Sequence, residues 1–452
     1  MAKRMYLPTC FRKPLLALAL AGFTLPAAAL DLSEAYRLAL EQDAAYKAAQ
    51  AEADARREVL PQARAQLMPN VSMNLSRSRN HTDRDSLTAL GRTVSDSYDY
   101  FSSNYGITLR QPLFRKYNFA LYQQAGYDVE SAEANLDKSL QDLLVRLSGT
   151  YFEALMAQDQ YALVLAQKEA YGIQLAAARR AFEAGHGTRT DIDDAQARYD
   201  MTLAQELEAA QNLGYTRRQL QVIVNEPVDV LSQLDPERMQ LQGPAPASAE
   251  EWIARGEEIN PELRAMRANI ESALREVEKA RAGHMPTVDL IAQRTKSSSE
   301  NNVSINTAYD TSMVGLQASI PLFAGGYVNS QVRQAQANLK RLEQQYEARR
   351  REVSQMIRKE FQSVTEGVLK VHALQQAERS ADQAVISNQK GFQAGTRTQV
   401  DILNAQQQRM NTRRDLAQAR YQYILSRIRL QGLVQSLNQE EMETLNRWLR
   451  RS

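Results

Sequence analysis

Four short stretches of the chain alternate apolar residues with small or polar ones. They lie at about 70–79 and 100–111, and again at about 287–296 and 311–320. A period of two is the pattern of a β-strand whose two faces meet different surroundings. The stretches therefore predict two β-hairpins, with strands close to the ~9–11 residues that cross a membrane in a barrel.

Much longer stretches show the three- and four-residue spacing of helices. These patterns run from Leu32 to Leu67 and from Ala249 to Ala282 before the strands, and from Lys116 to Ala181 and from Asn329 to Lys390 after them. At ~1.5 Å per residue, the longest helix would reach about 100 Å. Helices of this length exclude a compact globular fold.

A glycine-containing turn is predicted after each long helix, at about 183–191 and about 392–401. New helices follow from Ile192 to Val224 and from Ile402 to Gln435. Each turn region begins with the pattern Phe-x-Ala-Gly, which starts at Phe182 in the first copy and at Phe392 in the second. The chain thus contains two long helical hairpins.

The two halves of the chain repeat the same order of elements. Met68-Pro69 before the first strands matches Met285-Pro286, and the Pro-Leu-Phe motif that follows them also occurs twice. The difference in numbering between the copies drifts by only a few positions, which indicates an internal duplication. We predict a first repeat at 30–226, an irregular proline-containing linker in the equatorial region at 227–247, a second repeat at 248–437 and a C-terminal tail at 438–452.

The segment 1–29 has the pattern of a secretory signal peptide, with four cations before an apolar run from Leu15 to Leu25 and cleavage after Ala29. The chain has 55 Lys and Arg against 53 Asp and Glu, and removing the signal leaves 51 against 53. This balance argues against a nucleic-acid binder. Cys10 is the single cysteine and would leave with the signal, so no disulfide or cysteine-linked lipid is expected.

No motif of catalysis occurs along the chain. The nucleophile elbow, the phosphate-binding loop and the H-E-x-x-H zinc pattern are all absent from the sequence. The histidines lie far apart without ligand spacing, at His81, His186, His284 and His372. We therefore expect no enzyme activity, no cofactor and no metal site.

Four strands cannot close a barrel, and open sheet edges are not tolerated in hydrocarbon. Other copies of the chain must then complete the barrel, and three copies, which would pool twelve strands, are slightly favoured over two. The predicted fold class is mainly α with a membrane β-barrel portion, built from a duplicated unit of helix, β-hairpin and long helical hairpin. A non-channel coiled-coil protein, either a periplasmic adaptor or a surface structural protein, remains the alternative.

Taken together, these motifs resemble the TolC-type outer-membrane channel proteins of Gram-negative bacteria. The resemblance is carried by Pro112-Leu113-Phe114 and Pro321-Leu322-Phe323 after the second and fourth strands, and by the stretch from Phe392 to Leu403. It implies a homotrimer with a shared outer-membrane β-barrel and a long periplasmic α-barrel tunnel. The implied function is an exit duct for type I protein secretion or efflux, with a periplasmic membrane fusion adaptor and an inner-membrane ABC or RND transporter.

The resemblance also implies a closed periplasmic entrance at the helical turns. Thr190 and Asp191 match partners of the constricting network, Arg397 matches an arginine that links to the neighbouring turn, and Asp401 matches an aspartate whose three copies ring the pore. Asn404 stands where a second aspartate ring would lie, and its counterpart in the first repeat, Asp194, is a candidate to replace it. The residues alone allow a simpler role for Asp191 and Asp401, which is to cap a helix that begins just after them.

Two further groups of residues are expected to serve the assembly. Adaptor docking is expected at the helical turns, at Gly185, Gly187, Phe392 and Gly395. Phe392 departs from the family pattern, because it stands where a tyrosine hydroxyl would make a link. The junctions between strand and helix are expected at Pro112, Phe114, Pro321 and Phe323.

Overall fold

A computed structural model describes residues 29–450, and the predicted signal peptide lies outside this range except for its last residue. The helices in this range are α1 Leu32–Gln42, α2 Ala44–Arg57, α3 Val59–Ala65, α4 Lys116–Glu183, α5 Arg189–Val224, α6 Ala249–Ile259, α7 Pro261–Arg281, α8 Tyr327–Gln393, α9 Gln399–Leu433 and α10 Gln439–Asn446. The strands are β1 Asn70–Leu87, β2 Thr93–Phe114, β3 Thr287–Ser298 and β4 Ala308–Ser319.

The helices before the strands are broken where the pattern predicts continuous ones. Asp43 follows α1 and caps α2, because its carboxylate accepts a hydrogen bond from the Tyr46 amide at 2.7 Å. Asn260 does the same between α6 and α7, where Pro261 takes the first helical position. Asp43 and Asn260 stand at matching positions of the duplication, so both repeats use the same break.

The strands form one antiparallel sheet in the order β1-β2-β3-β4. β2 pairs with β3, so the two repeats are joined in the middle of the sheet, and β1 and β4 form its edges. The first hairpin is longer than the predicted strands, with 18 and 22 residues. Its outer part is rich in Ser, Asp and Arg and lacks apolar alternation, so the pattern did not reveal it.

The two long helical hairpins carry most of the length of the molecule. α4 has 68 residues and returns through α5, and α8 has 67 residues and returns through α9. Each long helix therefore spans about 100 Å. No helix in residues 29–450 is both long enough and apolar enough to cross a membrane.

The main hydrophobic core lies where α4 and α9 pack with the short elements around them. Tyr151 and Tyr421 are fully buried there, and their hydroxyls donate to the Leu30 carbonyl at 2.9 Å and to the Asp159 carboxylate at 2.6 Å. Burial raises the pKa of Asp159 despite the Tyr421 hydroxyl, which opposes this shift. The core thus joins the two repeats near the middle of α4.

The linker and the C-terminal tail also contribute to this core. Residues 227–247 contain no helix and only isolated β-bridges, yet Leu231 is buried in the main cluster. The tail forms α10, and its Trp448 is buried as well. Irregular backbone here serves packing rather than acting as a free connection.

Candidate functional site: the helical hairpin turns

The first turn closes over the end of α4. Gly185 has a φ of +76°, a region that costs other residues roughly 1–2 kcal/mol. The amides of His186 and Gly187 then both donate to the Ala181 carbonyl, at 2.9 and 3.0 Å. These bonds satisfy the end of α4, and the chain can reverse within a short loop before α5 begins.

The second turn has the same backbone. Gly395 has a φ of +74°, and the amides of Thr396 and Arg397 donate to the Gly391 carbonyl at 2.9 and 3.2 Å. The Thr396 hydroxyl adds a bond of 3.0 Å to the same carbonyl. Both turns therefore end their helices by one geometry, at matching positions of the two repeats.

The two turns make room for this geometry in opposite ways. A Cβ on Gly187 would lie 2.9 Å from the Phe182 nitrogen and 3.1 Å from the Ala181 carbonyl carbon, so a side chain there would meet backbone. In the second turn the equivalent position is Arg397, and the space is made by Gly391 in place of Ala181. Sequence reasoning missed Gly391, although its alignment with Ala181 in the duplication was available as a signal.

A capping box begins the return helix of each turn. The Thr188 amide donates to Asp191 Oδ2 at 3.0 Å, and the Asp191 amide donates to Thr188 Oγ1 at 3.2 Å. Thr398 and Asp401 make the same pair of bonds, at 2.8 and 3.3 Å. The hydrogen bonds that Asp401 accepts from the Thr398 amide and hydroxyl lower its pKa.

This arrangement corrects the predicted position of the two aspartates. The return helices begin at Arg189 and Gln399, so Asp191 and Asp401 lie in their first turns and not before them. The threonines are the N-cap residues, and the aspartates complete the box. The capping role is present, and it uses the Oδ2 atom of each carboxylate.

The other residues predicted for the entrance lie at the same end of the hairpins. Thr190 and Arg397 are exposed, and Asp194 is half-buried. Within residues 29–450, the side chains of Arg397 and Asp194 make no hydrogen bond or ion pair. Phe392 is 45% exposed at the end of α8.

Arg198, on α5, connects the two helical hairpins close to their turns. Its guanidinium donates to Asn404 Oδ1 at 2.8 Å and to Gln407 Oε1 at 2.6 Å. These contacts join α5 of the first repeat to α9 of the second. The sequence pattern contained no signal for Arg198, since its partners lie in the other half of the chain.

At the opposite end of the molecule, an ion cluster joins the sheet to the helices. The buried carboxylate of Asp289 on β3 accepts from Arg110 of β2 and from Arg115, which precedes α4. The Nε atoms of the two arginines lie 2.9 and 2.8 Å from the carboxylate oxygens. A buried carboxylate is tolerated here because two cations share it.

The four predicted junction residues occupy two different settings. Pro112 and Phe114 lie inside β2, not after it, and the register with β3 shifts between them. Pro321 and Phe323 follow the end of β4, and Phe323 is 91% exposed. The difference arises because β2 has partners on both sides, whereas β4 is an edge.

In the part of the chain that the structure describes, no group of three or more His, Cys, Asp or Glu side chains is placed to hold a metal ion. The arrangement instead combines a small sheet with an exposed apolar face, two hairpins of about 100 Å and polar turns at their far end. These are the parts of a channel subunit that is anchored in a membrane and extends away from it.

Comparison with known proteins agrees with this class. The profile of the outer membrane efflux protein family matches residues 35–226 and 252–434. The chain belongs to this family. It is 34% identical over 418 residues to the alkaline protease secretion protein AprF of Pseudomonas aeruginosa, covering 92% of this chain and 86% of AprF.

Two further relatives are similar over almost the whole chain. The proteases secretion protein PrtF of Dickeya chrysanthemi is 33% identical over 427 residues, covering 93% of this chain and 92% of PrtF. The outer membrane protein TolC of Escherichia coli is 29% identical over 442 residues, covering 96% of this chain and 87% of TolC.

Solved structures show the same fold. The outer membrane protein VceC of Vibrio cholerae superposes with a TM-score of 0.77 at 18% identity, covering 89% of this chain and 95% of VceC. The outer-membrane channel OprN superposes with a TM-score of 0.78 at 18% identity, covering 90% of each chain. The predicted fold class is confirmed.

Family membership also confirms that the chain is an exit duct located in the outer membrane. The alternative of a non-channel coiled-coil adaptor or surface protein is wrong.

Proposed function

We propose that three copies of this chain form the exit duct of a type I protein secretion system. The duct works with a periplasmic adaptor and an inner-membrane ABC transporter. AprF and PrtF support this choice, because their names describe protease secretion and each matches over nine-tenths of this chain. The similarity to TolC supports efflux with another transporter, such as an RND pump, as a second use of the same duct.

The observation that carries the proposal is the open sheet joined to two hairpins of about 100 Å. Four strands leave unpaired edges at β1 and β4 within one chain. Pairing β4 of one copy with β1 of the next removes every edge, and three copies give a barrel wide enough for a lumen. The same closure places the hairpins of three copies side by side as a tunnel.

The duct itself performs no chemical step in this proposal. Energy for export comes from the transporter, and the chain supplies a passage whose periplasmic end opens and closes. The helical turns are the moving parts, and an adaptor engages them near Gly185, Gly187, Phe392 and Gly395. Both turns are exposed at the tip of their hairpins, so they are available for docking.

At the closed entrance, Asp401 faces the pore and its three copies form a ring. Thr190, Asp191 and Arg397 take part in the contacts that hold the turns together, and Asp194 lies close enough in sequence to add charge. Carboxylates that converge on a narrow axis attract cations and repel one another. The expected closed state is cation-selective and is blocked by multivalent cations.

Arg198 supports this entrance by holding Asn404 against the first hairpin. An amide at this position carries no charge, so the entrance depends on the aspartates for its selectivity. Asn404 then acts as a tether between hairpins in place of a second charged ring.

Single-channel recording in planar bilayers tests the ring. Asp401→Asn removes the charge and keeps an acceptor for the capping box, and we expect loss of cation selectivity and of block by a trivalent cation. Asp415→Asn is the matched control, because Asp415 lies on the same helix and pairs with Arg414 at 3.1 Å. Unchanged selectivity in Asp401→Asn would show that the ring is wrong.

The assembly is tested separately by fractionation of cells. We expect an SDS-resistant trimer in the outer-membrane fraction that heating converts to monomer. A monomer recovered from the periplasm would contradict the duct.

A further inference from the structure

One face of the sheet changes from apolar to basic along β1. Successive side chains alternate between faces, so Val71, Met73 and Leu75 share one face with Arg77 and Arg79. The apolar residues lie at the end nearest the helices, and the two arginines lie farther out. All five side chains are exposed in the single chain.

The same order occurs on β3, in the second repeat. Val288, Leu290 and Ala292 are followed on one face by Arg294 and Lys296. Each of these residues is the counterpart of one on β1, with the same difference in numbering as between Met68 and Met285. The change from apolar to basic is therefore a property of the repeat and not of one strand.

The register places both cation pairs on one face of the sheet. Leu75 pairs with Tyr105, and Tyr105 pairs with Lys296. The four cations fall within about 20 Å along the strand direction, at ~3.3 Å per residue. They form one basic zone, defined as Arg77, Arg79, Arg294 and Lys296.

The opposite face of the sheet is polar, as is typical of a face that lines a water-filled channel. Near the helices, its residues on β1 and β2 are small or polar, including Ser72, Asn74, Gly106 and Thr108. In a membrane barrel the apolar face meets lipid and the polar face meets the lumen. The basic zone therefore faces lipid. Arg77 and Arg79 lie beyond the apolar residues of β1, and Arg294 and Lys296 lie level with Met73 and Leu75, beside them on the same face.

The charges of the basic zone are only partly neutralised by the chain itself. Arg294 contacts Asp310 at 3.0 Å, but its side chain is still 71% exposed. The Arg77 guanidinium lies 5.2 Å from the centre of the Phe101 ring. Asp310 is the single carboxylate paired with these four cations in residues 29–450, so the zone keeps a positive surplus.

We propose that the basic zone binds the phosphate groups of anionic lipids in the outer leaflet of the outer membrane. A guanidinium donates two parallel hydrogen bonds to a phosphate, and the adjoining apolar band receives the acyl chains of the same lipid. Because the basic zone adjoins this apolar band, a lipid can contact both surfaces, whereas free phosphate can contact only the cations. The proposed ligand is therefore a lipid. The inference rests on the proposed membrane orientation of the duct.

Binding of diphosphorylated lipid A to the purified full-length oligomer in detergent tests the proposal, with dephosphorylated lipid A as the matched ligand. Native mass spectrometry reports the bound lipid. R77Q/R79Q/R294Q/K296Q should bind the phosphorylated form more weakly, by roughly fivefold for each cation removed. Asp310→Asn should bind it more tightly, because Arg294 is released.

The control variant is R84Q/R92Q, which removes two cations farther out on the same hairpin and should bind as wild type does. The pairs R77Q/R79Q and R294Q/K296Q are also made separately, so that one misfolded variant does not decide the outcome. Equal binding of both lipid forms by wild type, or equal binding by wild type and both pairs, would overturn the proposal. Competition by inorganic phosphate at the concentration of lipid phosphate would also overturn it.

Failure of the duct itself is recognised independently. A wild-type chain that forms an SDS-resistant oligomer in the outer membrane but does not discriminate lipid phosphate contradicts only the basic zone. A wild-type chain that never reaches the outer membrane contradicts the orientation on which the zone depends.

Discussion

The two helical turns share a backbone but differ in the residues that permit it. In the first turn the small residue is Gly187, after the helix, and in the second it is Gly391, inside the helix. The clash in the first turn is with backbone, whereas in the second it is with the flexible side chain of Arg397. Duplication has thus kept a geometry while exchanging the positions that make it possible.

The turns also differ in how they are tied to their surroundings. Arg198 reaches from the first hairpin to Asn404 and Gln407 of the second. Its counterpart in the second repeat is Gln408, which has no guanidinium to offer. Within one chain the hydrogen bonds therefore run from the first hairpin to the second, and the Arg397 side chain of the second turn is exposed.

The largest expected difference between the turns comes from adding a methyl group to each glycine. Gly187→Ala should destabilise the first turn by about 1–3 kcal/mol, because backbone atoms must move. Gly391→Ala should change the second turn by less than about 1 kcal/mol, since Arg397 can shift and alanine favours the helix. Hydrogen exchange of peptides that cover each turn measures both effects. If the two variants lose the same amount of protection from exchange, the predicted steric difference between the turns is wrong.

Removing the caps should affect both turns alike. Thr188→Ala and Thr398→Ala each lose the N-cap oxygen and should cost about 1 kcal/mol. Gln399→Ala is the control, because Gln399 lies beside the box without serving as its N-cap. The same hydrogen-exchange experiment measures the effect. A much larger loss of protection in one turn than in the other would show that the two capping boxes are not equivalent.

The tether should produce a smaller and one-sided effect. Arg198→Ala removes two solvent-exposed hydrogen bonds and should cost about 0.5–1 kcal/mol. Exchange should rise in the first turns of α9, next to Asn404 and Gln407. Arg179→Ala is the control, since Arg179 bonds to Gln196 within the first hairpin and should leave α9 unchanged.

The smallest effect is expected from pH. Thr398 lowers the pKa of Asp401 below its ordinary value of 3.8, so the charged box adds stability above that value and loses it as pH falls through the lowered pKa. Pepsin cleavage of the second turn, normalised to an unrelated site, should be constant from about pH 5 to 4 and rise below. Asp401→Asn should abolish this rise, and a rise already at pH 5 would contradict the assignment.

Periodicity predicted the parts of the fold in which one residue type repeats along an element. The alternating strands and the long helices were found because their spacing is a local property. The breaks at Asp43 and Asn260 were missed, because a single capping residue does not interrupt the spacing around it. The outer half of the first hairpin was missed because water on both faces leaves no alternation.

The candidate site was predicted less completely than the fold. Gly185, Gly395, Asp191 and Asp401 were identified from the turn motifs, which are local. Thr188 and Thr398 could have been found from the same short stretches by placing each helix start a few positions earlier. Gly391 could have been found from its alignment with Ala181 in the duplication. Arg198 and the cluster around Asp289 could not, because their partners come from distant parts of the chain.

The duplication, the order of elements and the turn positions can be read from the amino-acid sequence, since each depends on neighbouring residues or on a fixed offset. The pairing of β2 with β3, the sharing of the Asp289 carboxylate by Arg110 and Arg115, and the contacts of Arg198 with the other hairpin appear only in the folded chain. Each of these depends on how the two repeats pack together. Contacts between residues far apart along the chain produce no regular spacing in the sequence, so they cannot be predicted from periodicity.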